Sequence, residues 1–255
     1  MKEEKIFVDS LLTNYKIGGE GKTVLILHGW GGSSDSWKEV IEILENKFKV
    51  VCPDLPGFGK TDFPKFAWEL KDYVKWLSQF VEKLNLNKFY LLGHSFGARI
   101  AVKFAVLFPQ KIEKLILVDA AGIKPQINLK TKFVFLLAKM GNAIFSRKPF
   151  HKFQDSVSSI FYKIFRIKDY ARAKGVMKET MKKILAEDLL PELSKIELET
   201  LIVWGKEDRI LPLKYAFLFQ KEIKNSKLKV LPKIGHSPHL ECPEKLSQIL
   251  IENLT

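Results

Sequence analysis

The sequence predicts an α/β fold, a mostly parallel central sheet flanked by helices, with a helical insertion between two of the strands. Three observations lead there. Short apolar runs alternate with amphipathic helical stretches, the rhythm of a sheet covered on both faces. Several of the runs are apolar throughout rather than alternating, as in strands buried on both sides. The polar, glycine-containing motifs stand directly after these runs, at the strand ends where such sheets carry their chemistry.

The elements follow in order. Thr23–Leu27 is a continuous apolar strand ending at His28-Gly29. From Ser36 to Lys47, Trp37, Val40, Ile41 and Leu44 recur at helical spacing behind serines and an aspartate suited to capping. Val50–Cys52 is the next strand, followed by the Gly- and Pro-rich loop Asp54–Lys60 and an amphipathic helix over Trp68–Leu84. Phe89–Leu92 is a strand that runs into Gly93-His94-Ser95-Phe96-Gly97, and Ala98–Phe108 is a helix apolar nearly all round, hence buried. Leu115–Val118, Leu201–Trp204 and Leu228–Leu231 complete the strands, with helices over Leu213–Ile223 and Pro243–Leu254.

Residues 1–121 and 191–255 carry this rhythm, and residues 122–190, after the strand Leu115–Val118, break it. The intervening segment has helical periodicity and no strand-and-turn pattern. It holds phenylalanines at 133, 135, 145, 150, 153, 161 and 165, and fifteen Lys or Arg against five acids. We read it as a helical lid, its aromatics mostly packing, with one or two available to line an apolar substrate site.

Composition sets the class. The 255 residues are 46% hydrophobic and 28% charged, ordinary for a soluble globular domain. The start, Met-Lys-Glu-Glu-Lys, lacks the pattern of a secretory signal, and no apolar run approaches the roughly 18–20 residues of a membrane span. These features predict a cytoplasmic protein without stable membrane insertion. Cys52 and Cys242, the two cysteines, predict neither a disulfide nor a metal site. The net charge of +13 is almost all lysine, scattered along the chain, with arginine only at 99, 147, 166, 172 and 209. No nucleic-acid motif accompanies it, so we expect no nucleic-acid partner.

The chemistry sits in three places. Gly93-His94-Ser95-Phe96-Gly97 is a G-x-S-x-G motif between a strand and a helix, a turn that exposes the serine at a helix N-terminus. Gly205-Lys206-Glu207-Asp208 puts a carboxylate at a strand end, and Gly235-His236 follows the last strand. A serine hydroxyl needs an imidazole to take its proton, and the imidazole needs a carboxylate to orient it. Ser95, Asp208 and His236 therefore form the expected catalytic set. Asp119 also ends a strand and is the other candidate acid; Glu207 and Asp62 read as solvated surface. His239 is a less suitable base than His236, and His151 has no visible partner.

With these motifs the chain resembles the α/β-hydrolase superfamily, in its serine-nucleophile, lid-bearing, esterase-like branch. His28-Gly29-Trp30-Gly31 and Asp54-Leu55-Pro56-Gly57-Phe58-Gly59 belong to the same likeness. The resemblance implies backbone N–H donors at Trp30 and Phe96 forming an oxyanion hole, and loop-shaping roles for His28 and His94. It implies no cofactor and no metal.

The expected function is hydrolysis of small-to-medium carboxylic esters through an acyl-enzyme, with a small-molecule ester as partner. A carbon–carbon hydrolase of ring-cleavage products and a lactonase stay open, although members of the former group commonly carry Trp after the catalytic histidine, where this chain has Ser237. A slow-turnover receptor that retains the triad is the alternative of another class. Oligomeric state is not legible.

Overall fold

The computed structural model describes residues 1–124 and 175–255. The lid phenylalanines, His151 and most of the predicted insertion lie outside the described residues. Met1–Ile123 and Ala173–Thr255 form one compact unit.

Its centre is an eight-stranded sheet in the order β1-β2-β4-β3-β5-β6-β7-β8. The strands are β1 (Lys2–Val8), β2 (Leu11–Gly18), β3 (Thr23–Leu27), β4 (Lys49–Pro53), β5 (Phe89–His94), β6 (Ile112–Val118), β7 (Thr200–Gly205) and β8 (Ser226–Leu231). From β4 to β8 all neighbours are parallel, while β1 and β2 form an antiparallel hairpin whose second strand pairs antiparallel with β4. The sequence reading did not assign this hairpin. Six of the seven β1 residues are not buried, so no apolar run marks the strand, and its turn is made by Asp9 and Ser10, both at positive φ, where Asn-Gly would have been the recognisable signal.

Around the sheet lie α1 (Lys38–Leu44), α2 (Leu70–Lys83), α3 (Phe96–Leu107), α4 (Gly175–Ala186), α5 (Leu190–Leu193), α6 (Lys214–Glu222), α7 (Pro238–Glu241) and α8 (Pro243–Leu254). Because strand side chains alternate between faces, the core divides in two. Leu25, Leu27 and Leu91 join Trp76, Phe80, Phe104 and Phe219 of α2, α3 and α6 on one face. Val24, Ile26 and Leu92 join Ile41, Leu44, Leu246 and Leu250 of α1 and α8 on the other. Each fully buried leucine or phenylalanine contributes on the order of 1.5–3 kcal/mol.

The chain re-enters the described residues at α4, which is tied to the core by polar contacts. The Trp68 N–H donates to Thr180 Oγ1 at 3.0 Å. The buried Arg99 of α3 donates from Nη2 to the carbonyl of Ile184 at 2.7 Å and to that of Glu187. This cation at a helix C-terminus satisfies carbonyls that have no helical partner. Met177 also packs so closely over Gly57 that a Cβ there would meet its sulfur at 2.5 Å.

The strand order positions the site. The connection from β3 runs to β4 on one side, and β5 returns to pair with β3 on the other. The loops after β3 and β5 thus meet at a reversal of strand order, where α/β sheets form their ligand crevice. No helix of the described residues is long and apolar enough to cross a membrane.

Candidate active site

Ser95 stands between the last residue of β5 and the first of α3, with φ 50° and ψ −111°. A non-glycine residue in this conformation is strained and must be held. Its N–H donates to the Val118 carbonyl at 3.1 Å, and its carbonyl accepts from Ala98 and Ala121. The flanking glycines are required by packing: a Cβ on Gly97 would lie 2.2 Å from the Leu27 carbonyl oxygen, and one on Gly93 2.5 Å from Ala98 Cα. The close approach brings α3 against the end of β3.

The loop after β7 contributes Asp208, whose side chain is completely buried. Oδ1 accepts from the N–H groups of Ile210 and Leu211 at 2.7 and 2.8 Å, and Oδ2 faces His236 Nδ1 at 2.7 Å. With Nδ1–H donating to Asp208, His236 Nε2 is left to accept from Ser95 Oγ, 3.0 Å away. The three residues expected from the sequence are therefore joined in one hydrogen-bonded line. An imidazole held in this tautomer can take a proton from the serine hydroxyl and return it to a leaving group.

Glu241 fixes the loop that carries His236. Its two carboxylate oxygens accept from the N–H groups of Gly235 and Ser237, at 2.8 and 3.1 Å. Nothing in the sequence pattern assigns Glu241 this role; the available signal is an acid five residues after His236, at the end of a short turn. On the Ser95 side, a Cβ on Gly29 would touch His94 Nδ1 at 2.9 Å and Ser95 Cβ at 3.4 Å, so the loop after β3 lies against the serine. Among the described residues neither the Trp30 nor the Phe96 N–H donates to a backbone carbonyl outside regular elements.

Residues 22–166 match the family described as the alpha/beta hydrolase fold. The chain belongs to the α/β-hydrolase family. Monoacylglycerol lipase ABHD6 of Rattus norvegicus is 29% identical to it, over 92% of this chain and 76% of the relative. The 2-hydroxy-6-oxononadienedioate/2-hydroxy-6-oxononatrienedioate hydrolase 1 of Pseudomonas putida is 30% identical, over 95% of this chain and 91% of that protein. Among solved structures, a serine hydrolase involved in carbazole degradation is 25% identical, with a TM-score of 0.75 and 99% of each chain covered. The protein is a hydrolase.

In this α/β-hydrolase aromatic rings cluster around Phe96, the residue after Ser95. Trp30 stacks edge-on against Phe58 and Phe96, with centroids 4.8 and 5.1 Å apart, and Tyr73 closes on Phe96 at 5.1 Å. Phe58, Phe96 and Tyr73 are buried, while Trp30 is partly exposed.

His28 and His94 hold loops together. His28 donates from Nδ1 to the Gly29 carbonyl and accepts at Nε2 from the Leu55 N–H, joining the loops after β3 and β4. His94 donates from Nε2 to the main-chain carbonyl of His236 at 2.8 Å. His239 lies flat on Trp37, centroids 4.5 Å apart, and packs against His94. Burial, reinforced by the neighbouring imidazoles, holds His94 well below the usual histidine range, and burial takes His239 down to about 3.

Asp119, the other acid considered, directly follows β6 at φ 41° and has no exposure. Its Oδ1 accepts from the Gly205 N–H at 2.9 Å. One ligand atom each of Asp119, Asp208 and His236 lie within 4.8 Å of one another. Burial, with the acids Asp208 and Glu241 nearby, pushes the Asp119 carboxyl up to about 9 against the pull of the Gly205 N–H. Among the described residues these three are the one cluster with metal-ligand chemistry, and two of its members already share the 2.7 Å hydrogen bond.

Proposed function

We propose that the protein cleaves carboxylic esters of small to medium size through an acyl-enzyme on Ser95. The observation that carries this reading is the hydrogen-bonded line Asp208 Oδ2–His236 Nδ1, 2.7 Å, and His236 Nε2–Ser95 Oγ, 3.0 Å. Ser95 Oγ attacks the ester carbonyl while His236 takes its proton. The N–H groups of Trp30 and Phe96 stabilise the oxyanion, an effect typically worth ~10²–10³ in rate per donor. His236 then protonates the departing alcohol, the C–O bond breaks, and water activated by the same ring releases the acid. Asp208 holds the tautomer and balances the charge on the ring.

Two further points support an ester with an apolar acyl group. Trp30, Phe58 and Phe96 make an aromatic wall beside Ser95, and the similar rat protein is a monoacylglycerol lipase. Carbon–carbon hydrolysis is the second reading, supported by the similar Pseudomonas putida hydrolase.

Hydrolysis of p-nitrophenyl esters from acetate to laurate, with Ser95→Ala as control, tests the proposal. Turnover on the order of 1–10³ s⁻¹ that vanishes in the variant is expected. Folded protein that turns over no ester of the series, but cleaves a vinylogous 1,5-diketone, would replace it with the second reading.

A further inference from the structure

We propose that Asp119 is a positioning residue: its carboxyl O–H donates to the Asp208 carboxylate and sets that group against the His236 ring. The proposal rests on the Ser95–His236–Asp208 reading above and adds a fourth member behind the acid.

The backbone places Asp119 for this task. Its N–H donates to the Val203 carbonyl at 3.0 Å, anchoring it between β6 and β7. Its Oδ1 accepts from Gly205, whose own carbonyl accepts from the Asp208 N–H at 3.2 Å. One carboxyl oxygen thus holds the first residue of the turn that presents Asp208. Gly205 has no room to adjust, since a Cβ there would lie 1.9 Å from the Gly235 carbonyl oxygen in the His236 loop.

The other oxygen decides the protonation state. Asp119 Oδ2 is sealed from solvent, and among the described residues no donor reaches it. The groups that face Asp119 are Asp208 from the loop after β7, His236 from the loop after β8, and Glu241 and Cys242 at the end of α7. Three of these are acids or a thiol, and the His236 Nδ1–H is already given to Asp208. A buried carboxylate oxygen without a donor is costly, and two carboxyls this close cannot both ionise. Both problems disappear when Asp119 keeps its proton and donates it to Asp208. The Asp208 carboxylate then accepts from Ile210, Leu211, His236 and Asp119, with its negative charge directed at the ring. Asp119 touches neither substrate nor serine; it acts through Asp208.

The test follows kcat and KM for p-nitrophenyl butyrate from pH 5 to 10, in the full chain and in Asp119→Asn, Asp119→Ala and Ser95→Ala, with circular dichroism confirming the fold at each pH. Asparagine keeps an acceptor for Gly205 and supplies an N–H donor that cannot ionise. Asp119→Asn is therefore expected within about threefold of the native enzyme at pH 7, and it loses the fall in kcat that the native enzyme shows as Asp119 ionises above about pH 9. Asp119→Ala loses both bonds and is expected to drop kcat by ~10–100-fold at unchanged KM. The proposal is overturned if Asp119→Asn follows the native profile through pH 10, or if the alanine and asparagine variants are equally active. It is also overturned if Asp119→Asn is as inactive as Ser95→Ala, since the carboxylate itself would then be required. Turnover surviving in Ser95→Ala is a different failure: it removes the serine reading and is seen without any Asp119 variant.

Discussion

The Nε2–H of His94 donates to the main-chain carbonyl of His236 at 2.8 Å, across 142 residues of sequence. The residue before Ser95 thereby fixes the loop that brings the His236 ring to it. Burial keeps His94 neutral, so Nε2 carries its proton and Nδ1 stands without a donor. His94→Phe fills the same space and removes the donor. A loop displaced by even about 1 Å can cost ~10²-fold in rate, so we expect kcat to fall ~10–100-fold with KM changed little. Steady-state kinetics on a p-nitrophenyl ester decide it: native kcat in the folded variant would mean that the bond does not position His236.

Asp208→Asn is the sharper test of the acid. Asparagine keeps the shape and the acceptor for Ile210 and Leu211 but can present an N–H to His236 Nδ1, which forces the opposite tautomer. By analogy with triads in which this change has been measured, kcat should fall by ~10⁴ with the fold intact. The comparison with Asp119→Asn is decisive, because it assigns the acid directly: a crippled Asp119→Asn beside an active Asp208→Asn reverses the assignment.

Gly97→Ala tests whether the Ser95 turn depends on close packing. The added Cβ would meet the Leu27 carbonyl at 2.2 Å and the His28 carbonyl oxygen at 2.7 Å, both backbone atoms that cannot swing aside. Helix α3 must lift from β3, at a cost of about 1–3 kcal/mol or more. A fall in the chemical-denaturation midpoint, together with loss of turnover, is the expected result. A variant as stable as the native chain would show that the turn relaxes freely.

The sheet and the candidate site were legible for a common reason. Apolar runs such as Leu91-Leu92 and Ile202-Val203 are buried on both faces and admit no polar residue, so the strands announce themselves. Ser95 and Asp208 each follow such a run, His236 follows the edge strand β8, and the structure brings the three within 3.0 Å of their partners. Residues whose role lies in a long-range contact were harder to read. Nothing local to Asp119 says that its carboxyl meets Gly205, 86 positions away, and the bond from His94 is equally remote in sequence. The β1–β2 hairpin was missed because an exposed charged edge carries no apolar signal.

Glu241 lends itself to a graded test. Its carboxylate holds two exposed N–H groups of the His236 loop. Exposed bonds of this kind are worth only about 0.5–1.5 kcal/mol each. Glu241→Ala should therefore lower the melting temperature by a few degrees and kcat by ~3–10-fold, and Glu241→Gln, which keeps one acceptor, should fall between. Equal losses in the two variants would mean that charge rather than hydrogen bonding holds the loop.

The final prediction concerns stability against pH. Burial raises the Asp119 carboxyl to about 9 in the folded chain, against ~3.9 for an unfolded aspartate. Between these values the native state holds a proton that the unfolded chain has released, so folding stability falls as pH rises across this window. The contribution is fully present below about pH 4 and lost by about pH 9. Asparagine at 119 cannot ionise in either state and removes this dependence. Melting curves of native protein and Asp119→Asn should nearly coincide at pH 4.5 and separate progressively toward pH 8.5, with the variant the more stable at the alkaline end. A separation of the opposite sign, widening in favour of the native chain as pH rises, would mean that Asp119 is ionised in the fold and that Asp208 is held by some other group.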